Sequence, residues 1–147
     1  MGFAIDGISL GHLRGVHPDL VRVVQRCADN AAMPFTFAVS CGLRTHQQQK
    51  LAVASGRSQT LNSRHLDGHA VDLVVLVQNQ VTWDWAPYYV LADAMRQASI
   101  DTRIPLIWGG CWGQEMESYD GPAAKASGKY VTDWYAAHPK RAALLNR

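Results

Sequence analysis

The residues of this chain best suited to hold an ion are concentrated in Ser63-Arg64-His65-Leu66-Asp67-Gly68-His69-Ala70-Val71-Asp72. Asp72 stands in the run from Ala70 to Val77, where every other residue is apolar. An ionised carboxylate buried in such a run is strongly penalised unless it is paired or binds a cation. His65 lies seven positions upstream, at the mouth of the run, and Gly68 and Ala70 keep the intervening backbone tight enough to bring imidazole and carboxylate together. That pair can share one divalent ion. A histidine and an aspartate seven apart carry no signal alone. The fuller pattern Ser63-x-His65-x-x-Gly68-x-Ala70-x-Asp72 fixes five positions, and at ordinary residue usage it arises by chance on the order of once per million starts. His69 falls where the pattern is free and is read as an exposed or supporting residue rather than a ligand.

The elements that must carry these residues follow from periodicity. Pro18 to Ala31 places Leu20, Val21, Val23, Val24, Cys27 and Ala28 at mixed three and four spacings, as in a helix half sunk in a core. Pro34 to Ser40 is a short aromatic and β-branched run bounded by Pro34 and Gly42, which predicts a strand. Thr45 followed three residues later by Gln48 has capping-box spacing and opens a helix that ends near Gly56. Arg57 to Asp67 is polar and predicts a surface loop delivering the motif. Ala70 to Val77 predicts a strand buried on both faces, with Asp72 as its anomaly. A hairpin-like piece at Gln78 to Thr82, a helix over Trp83 to Ser99, a strand over Ile104 to Trp108 and a helical stretch from Pro122 to Leu145 interrupted by Pro139 complete the chain.

Composition bounds the class. At 147 residues and 16.2 kDa, with 48% hydrophobic and 18% charged residues, one soluble domain spanning residues 1–147 is expected. A net charge of +2, with no Lys or Arg stripe, argues against nucleic acid. No stretch approaches the length of a membrane span, and no basic start precedes a long apolar run, so synthesis in a host cytoplasm without a signal peptide is expected. Cys27, Cys41 and Cys111 form an odd set without C-x-x-C spacing and are read as buried thiols. A monomer is the default expectation.

The ten-residue segment resembles the signature S-x-H-x-x-G-x-A-x-D of the VanY-like D-alanyl-D-alanine carboxypeptidase and L-alanyl-D-glutamate endopeptidase family, with phage endolysins closest. His17-Pro18-Asp19-Leu20-Val21, Gly42-Leu43-Arg44-Thr45 and Leu106-Ile107-Trp108-Gly109-Gly110-Cys111-Trp112 are also similar to that family, so the resemblance covers most of the chain. It implies a small α+β fold of the Hedgehog and DD-peptidase kind, an antiparallel sheet with flanking helices. It implies zinc held by a histidine, an aspartate and a second histidine, with His65 and Asp72 matching the first two ligands. Arg44 matches an arginine that holds a substrate carboxylate or a developing oxyanion, and Ser63 matches the motif serine, which either meets substrate or braces the loop. The implied substrate is the peptidoglycan stem peptide, cut at the L-alanyl to D-glutamate bond at the cell wall after release from the cytoplasm.

One part of the pattern departs. The family leads from its Trp-Gly-Gly element to D-G-P-H, whereas Asp120-Gly121-Pro122 is followed here by Ala123. Three expectations follow: Tyr119 to Leu145 is an insertion and the D-x-x-H segment lies beyond Arg147; or Asp120 to Ala123 is that segment with its histidine replaced; or His138, or less readily Cys111, supplies the third ligand. Without a third ligand, impaired turnover is expected. A non-catalytic wall-binding module and a D-alanyl-D-alanine carboxypeptidase are the alternative readings.

Overall fold

The structure is a computed structural model that describes residues 2–138. It mixes five helices with two small antiparallel sheets, in agreement with the α+β expectation. The described residues form two compact units that divide after Asp84.

The first unit opens with α1 (Gly7–His12), capped by Asp6, whose carboxylate accepts the Ser9 amide at 2.7 Å. Helix α2 (Pro18–Ala28) begins at a proline, where no intrahelical N–H is needed, and the His17 ring accepts the Asp19 amide. Its Val23, Val24, Cys27 and Ala28 are fully buried, matching the apolar face expected of this stretch. Strand β1 (Thr36–Cys41) alternates, with Phe37 and Val39 turned into the core. Its outer edge is covered by α1: the buried Ser9 hydroxyl accepts the Val39 amide at 2.9 Å.

Helix α3 (His46–Ala54) carries the complete capping box, Thr45 Oγ1 accepting the Gln48 amide and Gln48 Oε1 accepting the Thr45 amide. The polar loop after it ends in a 3-10 turn over Arg64–Asp67, which delivers the chain to β2 (Asp72–Val77). A two-residue turn with positive φ at both Gln78 and Asn79 joins β2 to β3 (Gln80–Thr82), the turn whose twist suits a tight hairpin. The sheet order is β1-β2-β3.

The strand expected to be buried on both faces is not. Only Val75 of β2 is fully buried, opposite Phe37, while Val77 is exposed and Asp72 is the strand's first residue with its side chain 50% exposed. Asp72 is therefore at a sheet end, and burial alone does not demand its cation.

The second unit opens with α4 (Trp85–Thr102), which buries Leu91, Ala92, Ala94, Met95, Ala98 and Ser99. It closes at Arg103 in the left-handed region, with Ser99 Oγ donating to Ile104 O at 2.6 Å. That closure holds Ile104 at the helix end, so the expected strand shrinks to β4 (Ile107–Trp108). A turn at Gly109-Gly110 leads to β5 (Cys111–Glu115), an element the sequence reading left unassigned. Gly110 is required there: a Cβ would meet the Trp108 indole at 2.5 Å.

Helix α5 (Ala123–Ala137) starts at the departure from the family pattern. Pro122 offers no side-chain cap, and Asp93 of α4 supplies one, accepting the Ala123 amide at 2.7 Å. Arg96 of α4 donates to the carbonyls of Tyr119 and Gly121. Ala123 is fully buried, and Asp120 points into solvent toward Lys125. Asp120 to Ala123 thus forms a helix start built on an alanine. The continuation expected through Pro139 to Leu145 lies outside the described residues.

Candidate metal centre

The site is assembled on the first unit from the end of β1, the loop after it and the motif. The pairing of β1 with β2 runs Phe37 to Val75 and Val39 to Leu73, then slips so that Cys41, not Ser40, faces Asp72. Ser40 is the extra residue of a β-bulge, a device that re-aims side chains beside sites. After it, Gly42 passes so close to α1 that a Cβ would lie 2.0 Å from His12 O and 2.8 Å from Val16 Cγ2. No side chain fits. The Gly42 carbonyl then meets His65 Nδ1 at 2.7 Å.

Four of the five fixed positions of the motif, Ser63, His65, Gly68 and Asp72, have a task visible in the structure. Ser63 Oγ accepts the His65 amide at 3.2 Å, capping the 3-10 turn. The His65 carbonyl accepts the Arg44 amide at 2.9 Å. Gly68 has φ +76° and lies against Gly15, where a Cβ would come within 2.4 Å of a carbonyl oxygen, and its own carbonyl accepts the His17 amide. His69 turns away, pairing with Asp67 at 3.0 Å and packing on the His17 ring, as its free place in the pattern predicts.

The buried His65 imidazole is therefore fixed by its outer nitrogen. With Nδ1 donating to the Gly42 carbonyl, Nε2 is the nitrogen that faces Asp72 Oδ1, at 3.4 Å, and the one left to ligate an ion. Asp72 is fixed the same way: its Oδ2 accepts from Arg44 Nη2 at 3.1 Å. Burial raises the Asp72 pKa, but the hydrogen bond from His65 and the positive charges of His65 and Arg44 outweigh it and hold the carboxyl below its usual range. Two ligands of a tetrahedral zinc, with bonds of about 2.0–2.1 Å, stand roughly 3.3 Å apart. His65 Nε2 and Asp72 Oδ1 are at that spacing, each with its other polar atom tied down, so this pair fits the ion the sequence implied.

Arg44, with 16% of its side chain exposed, links three partners. Nε donates to Cys41 Sγ at 3.2 Å, Nη1 to Gln49 Oε1 at 3.1 Å and Nη2 to Asp72. Gln49, 1% exposed, is itself saturated, its amide nitrogen donating to Ser58 Oγ and Thr60 O. Sequence reasoning singled out Arg44, Ser63, His65 and Asp72, and the structure brings all four together. It missed Cys41 and Gln49. Cys41 was visible as the residue before Gly42-Leu43-Arg44, but an odd cysteine count gave no reason to separate it from the other thiols. Gln49 was hidden in a run of three glutamines.

Among the described residues, one group of three His, Cys, Asp or Glu side chains brings its ligand atoms within 4.8 Å of one another: Cys41, His65 and Asp72. In the second unit, Cys111 is buried with Sγ near Gln114, and His138 closes α5 with Nδ1 on the Trp134 carbonyl and its ring stacked on that indole.

A family model described as phage L-alanyl-D-glutamate peptidase matches residues 1–128. The chain is similar to the solved structure of Serratia marcescens L-Ala D-Glu endopeptidase ChiX, with 44% identity and a TM-score of 0.66 over 79% of this chain and 84% of that one. No curated protein matches. The motif, the metal-ready His65 and Asp72 pair and the match over residues 1–128 agree: this chain belongs to the phage L-alanyl-D-glutamate peptidase family, enzymes that act on peptidoglycan.

Proposed function

We propose that this chain is a zinc endopeptidase that cuts the L-alanyl to D-glutamate bond of peptidoglycan stem peptides, with the ion held by His65 Nε2 and Asp72 Oδ1. The observation that carries the reading is their 3.4 Å separation, with each ligand fixed through its other polar atom. Bound zinc supplies a Lewis acid and lowers the pKa of a coordinated water to about 7. The Gly42 carbonyl keeps the His65 proton on Nδ1. Arg44 keeps Asp72 ionised and turned toward the site, and after its three contacts it retains two of its five N–H donors for a substrate carboxylate or the developing oxyanion. Ser63 acts through His65, because its oxygen already accepts the His65 amide. It is a positioning residue.

No described helix is long and apolar enough to cross a membrane, and the reading has the protein working as a monomer at the wall after release from the host cytoplasm. The test is digestion of defined muropeptides by the zinc-loaded protein. New D-glutamyl amino termini are expected, while D-alanyl-D-alanine ends stay intact. His65→Ala and Asp72→Asn should each lower kcat/KM by at least about a hundredfold, since losing even an outer partner of a metal ligand costs 10- to 100-fold. Cleavage indifferent to chelators and to His65→Ala would reject the reading.

A further inference from the structure

The sulfur beside Arg44 is unexplained by a site of His65 and Asp72 alone. The bulge at Ser40 makes Cys41 the cross-strand partner of Asp72, and Arg44 ties the two together, Nε on Cys41 Sγ at 3.2 Å and Nη2 on Asp72 Oδ2 at 3.1 Å. Cys41 Sγ also lies 3.8 Å from His65 Nδ1, the ring nitrogen that Gly42 holds, so joining Nε2 at an ion takes a rotation of the thiol. We propose that Cys41 Sγ is a protein donor to the ion held by His65 and Asp72, giving a sulfur, nitrogen and oxygen set. The proposal rests on the metal reading above and extends it.

Three lines support it. Cys41, His65 and Asp72 each bring one ligand atom within 4.8 Å of the others', and donors to a tetrahedral zinc stand roughly 3.3 to 3.7 Å apart, so rotation of the Cys41 side chain toward Nε2 closes the cluster. Charge favours it too: a thiolate and a carboxylate beside one guanidinium leave a single negative charge to receive a divalent ion, and with neutral imidazole the loaded centre carries one net positive charge, suited to an anionic fourth ligand. Three protein donors leave the fourth position of a tetrahedron open, as catalytic zinc needs. The other thiols are placed differently. Cys27 is buried beneath α2, where burial pushes its pKa up to about 12, and Cys111 is buried in β5.

Coordination replaces the Cys41 S–H bond with a sulfur to metal bond and releases the proton to solvent. A thiolate donor also sets the preference: zinc, cobalt and cadmium over magnesium, calcium or manganese.

The test loads the full chain with Co(II). One cobalt per chain is expected, with a near-ultraviolet sulfur-to-cobalt charge-transfer band. Cys41→Ser should abolish the band and weaken zinc binding at least about tenfold in competition with a chromophoric chelator. A second measurement needs no variant: the 113Cd resonance of the wild-type protein should show the strong downfield displacement of thiolate ligation. Cobalt that binds through His65 without the band, a cadmium resonance typical of nitrogen and oxygen donors, or undiminished zinc affinity in Cys41→Ser overturns the role of Cys41 and leaves the His65 and Asp72 site standing. Failure of wild type to bind any of these ions overturns both.

Discussion

At the scale of single residues, Arg44 decides how well the site is organised. Its planar fork serves Cys41, Gln49 and Asp72 at once, and a lysine, with a flexible stem and one point charge, cannot serve all three. Arg44→Lys should therefore lower kcat/KM by about 10²- to 10³-fold, the usual cost of removing an oxyanion donor, and weaken metal binding about 10- to 100-fold. Steady-state kinetics and a zinc titration read the two effects separately; wild-type values in both would show that the fork is dispensable. His65 and Asp72, the proposed ligands, could be singled out in the sequence because the motif fixes residue types at fixed distances. The reason given for Asp72 was not the operative one: its side chain is half exposed at a sheet end, and it is oriented by Arg44 rather than driven by burial. Cys41 and Gln49 were illegible because their roles depend on a strand slip and on one buried amide, and neither leaves a mark in spacing.

At the scale of elements, local chemistry was read well wherever a cap or a period governs. The Thr45 and Gln48 box and the α2 face formed as expected. What spacing could not show was Ser99 reaching past the end of α4 to hold Ile104, which shortened β4, or the short β5 after Gly110. The β2–β3 turn holds two side-chain-bearing residues in the left-handed region. Asn79→Gly should stabilise the protein by up to about 1 kcal/mol in denaturant titration, and a destabilised variant would mean that Asn79 has a role beyond the turn. The α1 cap gives a pH dependence. The backbone hydrogen bond from Ser9 holds the Asp6 pKa below its ordinary 3.8. A depressed folded-state value means the stabilisation is present above about pH 4 and is lost as pH falls through the folded pKa. Asp6→Asn keeps an acceptor without the charge, so its thermal midpoint should fall less than that of wild type between pH 5 and pH 3. Parallel curves would assign the acid sensitivity elsewhere.

At the scale of the molecule, the proposed chemistry is carried by the first of two compact units, from β1 through the motif to β2. Metal binding there should register as global stability, because an ion that binds only the folded chain stabilises it by about 2.7 kcal/mol at a hundredfold excess over Kd. Scanning calorimetry with zinc and with a chelator should show a higher midpoint for the loaded protein and no difference in His65→Ala. The bulge at Ser40 has a consequence for how such a chain tolerates changes of length. Removing Ser40 would leave the cysteine opposite Asp72 but in a regular ladder, without the local bend that aims Gly42 and Arg44 at the ring and carboxylate they hold. Residues 41–44 and 63–72 thus form a ruler that admits no insertion or deletion, whereas the exposed Leu61 and Asn62, past the Thr60 carbonyl that holds Gln49, mark where the loop can change length with least effect on the centre.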